Sequence, residues 1–307
     1  MLNVAIIGFG YWGPKLTRNF HNSKNFEVKY IIDKSKKNLA NAKSDFPFVA
    51  INTDFKKIDC DNIDLVVIST PTKTHFSLAK FFLKKTNILI EKPLVLLSEQ
   101  VKKLDALSSK HKTKIFVDYP FIFSGSINFI KKSLNSKKFG KLLEVESYRE
   151  QAPIRDDSNV VWDLGVHDIS ILNYLINKDP ENISSTLFRT GKNLLEDSAY
   201  INIKYKNGPK VFIRNSWISP LKIRLMKFKF EKGIIVCDEN EPIYKIRIFK
   251  KKQPSSNEYN LEVPDLDLSE PLSVLVNYIY KSLSEKRNII FKNDLNLNIT
   301  KILKKLS

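Results

Sequence analysis

Three residues of this chain have the types and placement needed to move a proton at a reacting oxygen: Lys92, Asp163 and His167. Lys92 directly follows the apolar run Ile88-Leu89-Ile90, with Glu91 between, and precedes Pro93, which restricts its backbone. An ammonium at the end of a buried strand is held in place rather than left to wander in solvent. At 100° per residue, Asp163, His167, Ser170 and Tyr174 share an arc of about 60° on one helix. Leu164, Ile171, Leu172, Leu175 and Ile176 take the broad apolar side. A carboxylate stacked one turn from an imidazole can orient it and tune its pKa, which is what general acid/base chemistry requires. Tyr174, on the same arc, is expected to face a substrate with them. Asp168 points into the apolar side, where a structural hydrogen-bonding role is expected. His75 opens a helix after a strand and reads equally as a ligand contact or a helix cap, while His21 and His111 read as surface residues.

The element that would bring a substrate's partner to these groups lies at the start of the chain. Val4-Ala5-Ile6-Ile7 runs into Gly8-Phe9-Gly10-Tyr11-Trp12-Gly13, a G-x-G-x-x-G turn, and a helix begins at Pro14. In a dinucleotide-binding unit the three glycines make the turn, admit a pyrophosphate against the backbone and let the helix pack on the strand. The N–H groups from Tyr11 and Trp12 to Lys15 would face the phosphates with the positive end of the helix dipole. A second apolar run, 28–32, ends in Asp33, twenty residues beyond Gly13. A carboxylate there accepts from ribose hydroxyls and repels a 2′-phosphate, which favours NAD; Lys34, Lys36 and Lys37 keep NADP as the alternative.

Strands and helices alternate through the first 120 residues, as a parallel sheet with crossover helices demands. Strands are expected at 48–51, 63–68, 88–90 and 115–117, and helices at 36–43, 74–84 and from Ser98 as a cap. After one helix at 127–134 the rhythm becomes alternating strand: 142–149, 183–189, 198–206, 209–217, 224–231 and 243–250. Asn207-Gly208 is a hairpin signal. Helices at 163–177, 271–283 and 295–306 complete the pattern, and 250–257 reads as a mobile basic loop. The expected fold is α/β: an N-terminal Rossmann, doubly wound parallel sheet (1–120) and a C-terminal α+β domain with an open, mainly antiparallel sheet (121–307). The terminal helix is free to pack back on the first domain.

Bulk composition narrows the classes. With 307 residues, 42% of them hydrophobic, the chain can bury two cores, and no apolar run approaches the length of a membrane span. The start lacks a secretory leader pattern, so a cytoplasmic protein is expected. Cys60 and Cys237 lack any disulfide or metal-ligand spacing, and no metal is expected. The formal charge of +18 arises from lysines spread in ones to threes along the chain. Without an RNA- or DNA-binding motif, that distribution suits anionic small molecules better than nucleic acid.

Taken in order, G-F-G-Y-W-G (8–13), S-T-P-T-x-x-H (69–75), E-K-P (91–93) and D-x-x-x-H (163–167) resemble the glucose–fructose oxidoreductase/inositol dehydrogenase (Gfo/Idh/MocA) family of NAD(P)-dependent sugar and cyclitol oxidoreductases, over essentially the whole chain. The resemblance implies that Gly8, Gly10, Gly13, Asp33, Ser69, Thr70, Pro71, His75, Glu91 and Lys92 line the cofactor. It also implies that Lys92, Asp163 and His167 form the catalytic set and that the protein is a homodimer or homotetramer. In one departure, Ser158-Asn159-Val160-Val161-Trp162 replaces the glycines that commonly precede the catalytic aspartate. The variant Y-W-G-P and the stretch 154–168 look like the branch of polysaccharide and nucleotide-sugar biosynthesis. That likeness implies a ring hydroxyl, often C3 of a nucleotide-linked hexose, as the reacting group, with Arg149, Arg155 and Asn159 reaching the sugar or its diphosphate. An inositol or free-sugar dehydrogenase, and a non-catalytic NAD-binding sensor or scaffold, are the alternatives.

Overall fold

The computed structural model describes every residue except 191–194, 254–257 and 286–292. It divides into two compact units, Met1–Pro120 with Glu270–Thr300 and Phe121–Ser269 with Lys301–Ser307. In the first unit the chain runs β1 (Leu2–Ile7), α1 (Gly13–His21), β2 (Phe26–Ile32), α2 (Lys36–Asp45), β3 (Ala50–Asn52), β4 (Leu65–Ile68), α3 (His75–Phe82), β5 (Asn87–Glu91), α4 (Ser98–His111) and β6 (Ile115–Asp118). The strands form one parallel sheet in the order β3-β2-β1-β4-β5-β6. Leu65-Val66-Val67-Ile68 is fully buried because crossover helices cover both faces of such a sheet. The order reverses between β1 and β4, and ligands of open α/β sheets bind outside the strand ends at that reversal. Ser35 caps α2 by accepting from the Asn38 amide. Ser98 does not cap α4: Leu97 takes that position with extended backbone, and Ser98 is the first helical residue.

The second unit contains α5 (Gly125–Ser136), β7 (Leu142–Glu150), a π-helical turn Val161–Gly165, α6 (Val166–Ile176), β8 (Asn182–Phe188), β9 (Ser198–Lys204), β10 (Lys210–Ser216), β11 (Ile223–Phe230), β12 (Gly233–Asp238), β13 (Ile246–Lys251) and β14 (Tyr259–Glu262). Its sheet runs β14-β13-β12-β11-β7-β10-β9-β8, antiparallel except where β7 lies parallel to β10. Along β9, Ala199, Ile201 and Ile203 are buried while Tyr200, Asn202 and Lys204 are exposed, so one face is core and the other open. Asn207 adopts φ 51° in the connection between β9 and β10, the left-handed conformation that a tight hairpin demands. Neither β12 nor β14 is among the strands expected from sequence. The expected basic loop at 250–257 begins as strand, through Lys251, and its residues 254–257 lie outside the described residues.

The chain then returns to the first unit through α7 (Pro271–Ser284) and the start of α8 (Asn293–Leu306). Tyr280 meets Phe26 edge-on at 6.0 Å and Tyr278 meets Phe116 at 6.2 Å. Glu270–Thr300 thus clusters with the first unit, whereas the sequence reading closes that domain at residue 120 and leaves the terminal helix free to pack back on it. Among the described residues, no helix is long and apolar enough to cross a membrane.

Candidate active site

The glycine turn is shaped by what surrounds it. Gly8 has φ +97°, and a β-carbon there would lie 2.7 Å from the Ser69 carbonyl oxygen. A β-carbon on Gly13 would lie 2.4 Å from the carbonyl oxygen of Gly8, so the helix start and the turn touch backbone to backbone. Gly10 is different: a β-carbon there would meet nothing within 4 Å. The glycine whose neighbourhood is empty is the one expected to admit a pyrophosphate. Asp33 ties the turn to β2, its carboxylate accepting from the Phe9 amide at 2.7 Å, the Ser35 amide at 2.7 Å and Asn38 Nδ2 at 3.2 Å. The residues present fit a dinucleotide: an open glycine at a helix start, and a carboxylate at the end of β2. Tyr11 is exposed, stacked edge-on against Trp12 at 5.6 Å, with the Lys15 ammonium 3.8 Å and 4.3 Å from the two ring centroids.

At the end of β4, Ser69 Oγ donates to the Gly8 carbonyl at 2.8 Å, Thr70 Oγ1 pairs with Thr74 Oγ1 at 2.7 Å, and the Pro71 carbonyl accepts from the Thr74 amide at 2.9 Å. His75 is 1% exposed, with Nε2 2.8 Å from the Thr70 carbonyl oxygen and Nδ1 3.0 Å from that of Pro93. Burial lowers its pKa, while the hydrogen bonds to the Thr70, Pro93 and Leu94 carbonyls raise it. Both nitrogens face backbone, which corrects the expectation of a cofactor contact: His75 joins the loop after β4 to the loop after β5. The Lys92–Pro93 peptide is cis, and the half-buried Lys92 follows Glu91, whose side chain is only 7% exposed. Glu91 Oε2 accepts from the Lys92 amide at 3.2 Å, so Glu91 points into the sheet end instead of lining an open surface.

In the second unit, Asp163 sits in the π-helical turn and His167 in the first turn of α6. Such turns widen a helix locally and occur often at functional sites. A β-carbon on Gly165 would stand 2.9 Å from Asn215 Oδ1, which explains a glycine there. Two residues missed by the sequence reading hold the pair. Trp217, 3% exposed and just past β10, donates its indole N–H to Asp163 Oδ2 at 3.0 Å. Phe121 packs edge-on against the His167 ring at 5.1 Å. Only their aromatic character after a strand could have marked them, because contacts so distant in sequence leave no local signal.

Four residues expected to meet substrate are engaged elsewhere. Arg149 is 3% exposed, its Nε donates to Asp168 Oδ1 at 3.1 Å, and its guanidinium stacks 4.4 Å from the Phe121 centroid. It belongs to the inward face of β7, a correction to its placement at the sugar. Tyr174 donates to Asn128 Oδ1 at 3.1 Å and lies beneath the Lys131 ammonium, so it faces α5. Asn159 receives the Trp162 amide at 3.2 Å and donates to Glu196 Oε2 at 3.3 Å, bracing the π turn. Arg155 is exposed and pairs with Asp157 through two bonds of 2.8 and 3.1 Å; that hydrogen bonding raises its pKa against the effect of burial. It is the one of the four whose guanidinium is open to solvent. Asp168, fully buried, accepts from Ser147, Arg149 and Asn215. No group of three metal-ligating side chains occurs among the described residues.

Comparison with known proteins bears on this arrangement. Residues 2–119 match the model described as "Oxidoreductase family, NAD-binding Rossmann fold", and residues 127–236 match the GFO/IDH/MocA C-terminal domain. The chain is 27% identical to an inositol 2-dehydrogenase of Rhizobium meliloti (strain 1021), over 41% of this chain and 40% of the relative. It is 24% identical to the UDP-N-acetylglucosamine 3-dehydrogenase of Acidithiobacillus ferrooxidans, over 59% and 56%. The chain thus spans about half the length of the curated relatives it matches. The solved structure of the Acidithiobacillus enzyme superposes with a TM-score of 0.87 at 17% identity, covering 99% of this chain and 96% of that one. GenD2 from gentamicin A biosynthesis, solved with NAD, gives 0.85 at 16% identity, covering 99% and 93%. At these identities the structures establish the shared fold, and the two family matches, which together take in most of the sequence, establish that the chain belongs to the GFO/IDH/MocA oxidoreductase family.

Proposed function

We propose that this protein is an NAD-dependent dehydrogenase or reductase acting on a ring hydroxyl or ketone of a sugar, a nucleotide-linked hexose reacting at C3, in polysaccharide or glycoconjugate biosynthesis. The observation that carries the reading is the anchored acid/base pair: Asp163 fixed by the Trp217 indole, with His167 following on α6 against Phe121. A protein that only binds a dinucleotide needs no such pair, which disfavours a non-catalytic sensor or scaffold. The substrate class is suggested by the UDP-N-acetylglucosamine 3-dehydrogenase relative, and the inositol 2-dehydrogenase relative makes a cyclitol the second choice.

In this mechanism His167 takes the proton from the sugar hydroxyl, and Asp163 orients the ring and supports the imidazolium that forms. Lys92, placed in the catalytic set by the family resemblance, donates a hydrogen bond to the reacting oxygen as the C–H bond of the carbinol carbon breaks. NAD, when bound, supplies the acceptor for the hydride. Ketone reduction uses these groups in reverse. General acid/base transfer and electrostatic support at the oxygen each contribute on the order of 10²–10⁴-fold in such sites. Arg155 is the guanidinium proposed for the substrate's phosphates, after release from Asp157. The open face of the second sheet, where Phe188, Tyr200 and Phe212 are 42%, 47% and 44% exposed, supports the reading of a homodimer or homotetramer.

The test is to mix purified protein with NAD or NADP and a panel of nucleotide sugars, free sugars and inositol while following nicotinamide absorbance. The expected result is reduction of NAD by a nucleotide-linked hexose, abolished in Lys92→Ala and His167→Ala with NADH binding retained. Turnover that survives either substitution, or a panel with no reactive member even in a single turnover, overturns the reading.

A further inference from the structure

Two arginines stand side by side on the inward face of the second sheet, and only one of them has a carboxylate. Arg224 on β11 is the register partner of Arg149 on β7, so both side chains leave the sheet on the same face. Asp168 pairs with Arg149 at 3.1 Å. Arg224 is half-buried, and among the described residues no carboxylate pairs with it. Its Nη1 donates to the carbonyls of Glu150 and Ile223, the latter at 2.7 Å, and its Nη2 donates to that of Gln151 at 2.9 Å. Of the five N–H donors of a guanidinium, these three bonds leave the one on Nε and one on Nη2, which form a side edge of the planar fork. Arg149 adds another unmet donor, because its Nη1 is buried and meets no acceptor among the described residues. Like charges facing each other across a strand pair are destabilising, and an unused guanidinium edge is the shape that takes a carboxylate or a phosphate through two parallel bonds. From this geometry we propose that Arg224 is a specificity-determining residue: its open Nε/Nη2 edge, across the strand pair from the unpartnered Nη1 of Arg149, seats an oxyanion of the substrate, either a carboxylate on the sugar or a phosphate of its nucleotide.

A short path of backbone joins Arg224 to the proposed acid/base pair. Gln151, whose carbonyl holds Arg224 Nη2, has φ 61° and donates its own N–H to the Ser216 carbonyl at 2.7 Å. The residue after Ser216 is Trp217, the anchor of Asp163. The three carbonyl bonds fix the guanidinium before any substrate arrives, so little side-chain freedom remains to be lost on binding. Arg155 differs, since its fork is closed on Asp157 and must be released first. Electrostatics agrees with the geometry. Burial first, then the Arg149 charge, pulls the Arg224 guanidinium down to about 10, and the charges of Asp168 and Asp163 act against that pull. A bound oxyanion brings this half-buried cation the partner it lacks. That the oxyanion belongs to a substrate rests on the active site proposed above.

Calorimetric titration of the NADH-bound full-length protein with UDP-glucuronate, UDP-glucose and UDP reads the subsite without turnover. Arg224→Gln is expected to weaken at least one of the three by about ten- to hundredfold with NADH affinity unchanged. Arg224→Lys, which keeps the charge and loses the fork, should recover only part of that loss. A loss confined to UDP-glucuronate assigns the edge to a carboxylate on the sugar, and an equal loss with all three assigns it to a phosphate. Wild-type affinities for all three probes in both variants overturn the proposal, as does a wild type that binds none of them. A crystal structure of the wild type with UDP-glucuronate, which needs no variant to fold, is expected to show a ligand oxygen hydrogen-bonded to Arg224 Nε and Nη2. Ligand oxygens bonded only elsewhere overturn the proposal, and this structure decides the matter if the variants also lose NADH. The two readings fail separately. A wild type that binds UDP-glucuronate through Arg224 yet reduces no NAD with any sugar counts against the proposed function and leaves the subsite standing. Sugar oxidation indifferent to Arg224→Gln overturns the subsite and leaves the dehydrogenase standing.

Discussion

Gly10 offers a clean separation of binding from folding. Its β-carbon position is empty to 4 Å, whereas that of Gly13 runs into the Gly8 carbonyl oxygen at 2.4 Å. Gly10→Ala should therefore leave the fold intact, and the loss of unfolded-chain freedom should stabilise it by about 0.4–1 kcal/mol. That is a rise of a few degrees at most in a domain of this size. The new methyl would occupy the space in which a pyrophosphate approaches the backbone. Losing one hydrogen bond to a charged phosphate costs about 1.5–3 kcal/mol, or roughly a ten- to hundredfold weaker Kd. Gly13→Ala should behave the opposite way, since overpacking against backbone costs about 1–3 kcal/mol before any ligand is considered. Thermal melts and NADH fluorescence titrations on both variants decide the matter. If Gly10→Ala binds NADH like the wild type, the turn is not the pyrophosphate seat; if it melts as early as Gly13→Ala, the reading of empty space around Gly10 is wrong.

Two further outcomes follow from residues the sequence did not single out. Trp217→Phe keeps most of the buried ring but removes the donor to Asp163; a hydrogen bond to a carboxylate is worth about 1.5–3 kcal/mol, so kcat should fall about ten- to hundredfold with KM little changed, and unaltered steady-state kinetics would remove Trp217 from the site. Asp105, half-buried on α4, has its pKa raised from 3.8 to about 6 by burial and then by Asp294. A carboxyl whose folded pKa lies above its unfolded one lends stability in acid that is lost as pH rises from 3.8 through about 6. Above that window Asp105→Asn should be the more stable protein, by about 1 kcal/mol once solvent screening is allowed for, and at pH below the window the two should melt together. Melting curves across that range check it, and a gap that fails to open with rising pH refutes it.

What the sequence revealed was whatever depends on neighbours along the chain. The turn at Gly8, Gly10 and Gly13, the buried run of β4 and the hairpin at Asn207-Gly208 are local signals, and the structure contains each of them. Strand β12 escaped because Gly233-Ile234-Ile235-Val236-Cys237-Asp238 follows β11 after only Glu231 and Lys232, and an apolar run so close to its partner reads as an extension of it. Strand β14 is exposed at all four positions and so carries no alternation to detect. The π turn had a subtler effect. A single α-helical wheel over 163–177 places Ser170 and Tyr174 beside Asp163, but the widened turn breaks the wheel after Gly165. Ser170 is buried and donates to the His167 carbonyl of its own turn, and Tyr174 faces α5.

Arg149 shows that some of the missing information was present and went unread. Along β7, Val145, Ser147 and Arg149 are buried while Glu144, Glu146 and Tyr148 are not, so the parity set by Val145 already sends Arg149 inward. An inward arginine requires a buried carboxylate, and Asp168 was the residue already expected on the apolar side of α6. The two expectations complete each other. Ser147 and Arg149 from β7 and Asn215 from β10 all converge on Asp168, which pins the rotation of α6 against the sheet. His167 is the preceding residue, about 100° around the same helix, so the fully buried ion pair of Arg149 and Asp168 also fixes where the imidazole points. The arginine expected from sequence to touch substrate instead aims the residue proposed to do the chemistry.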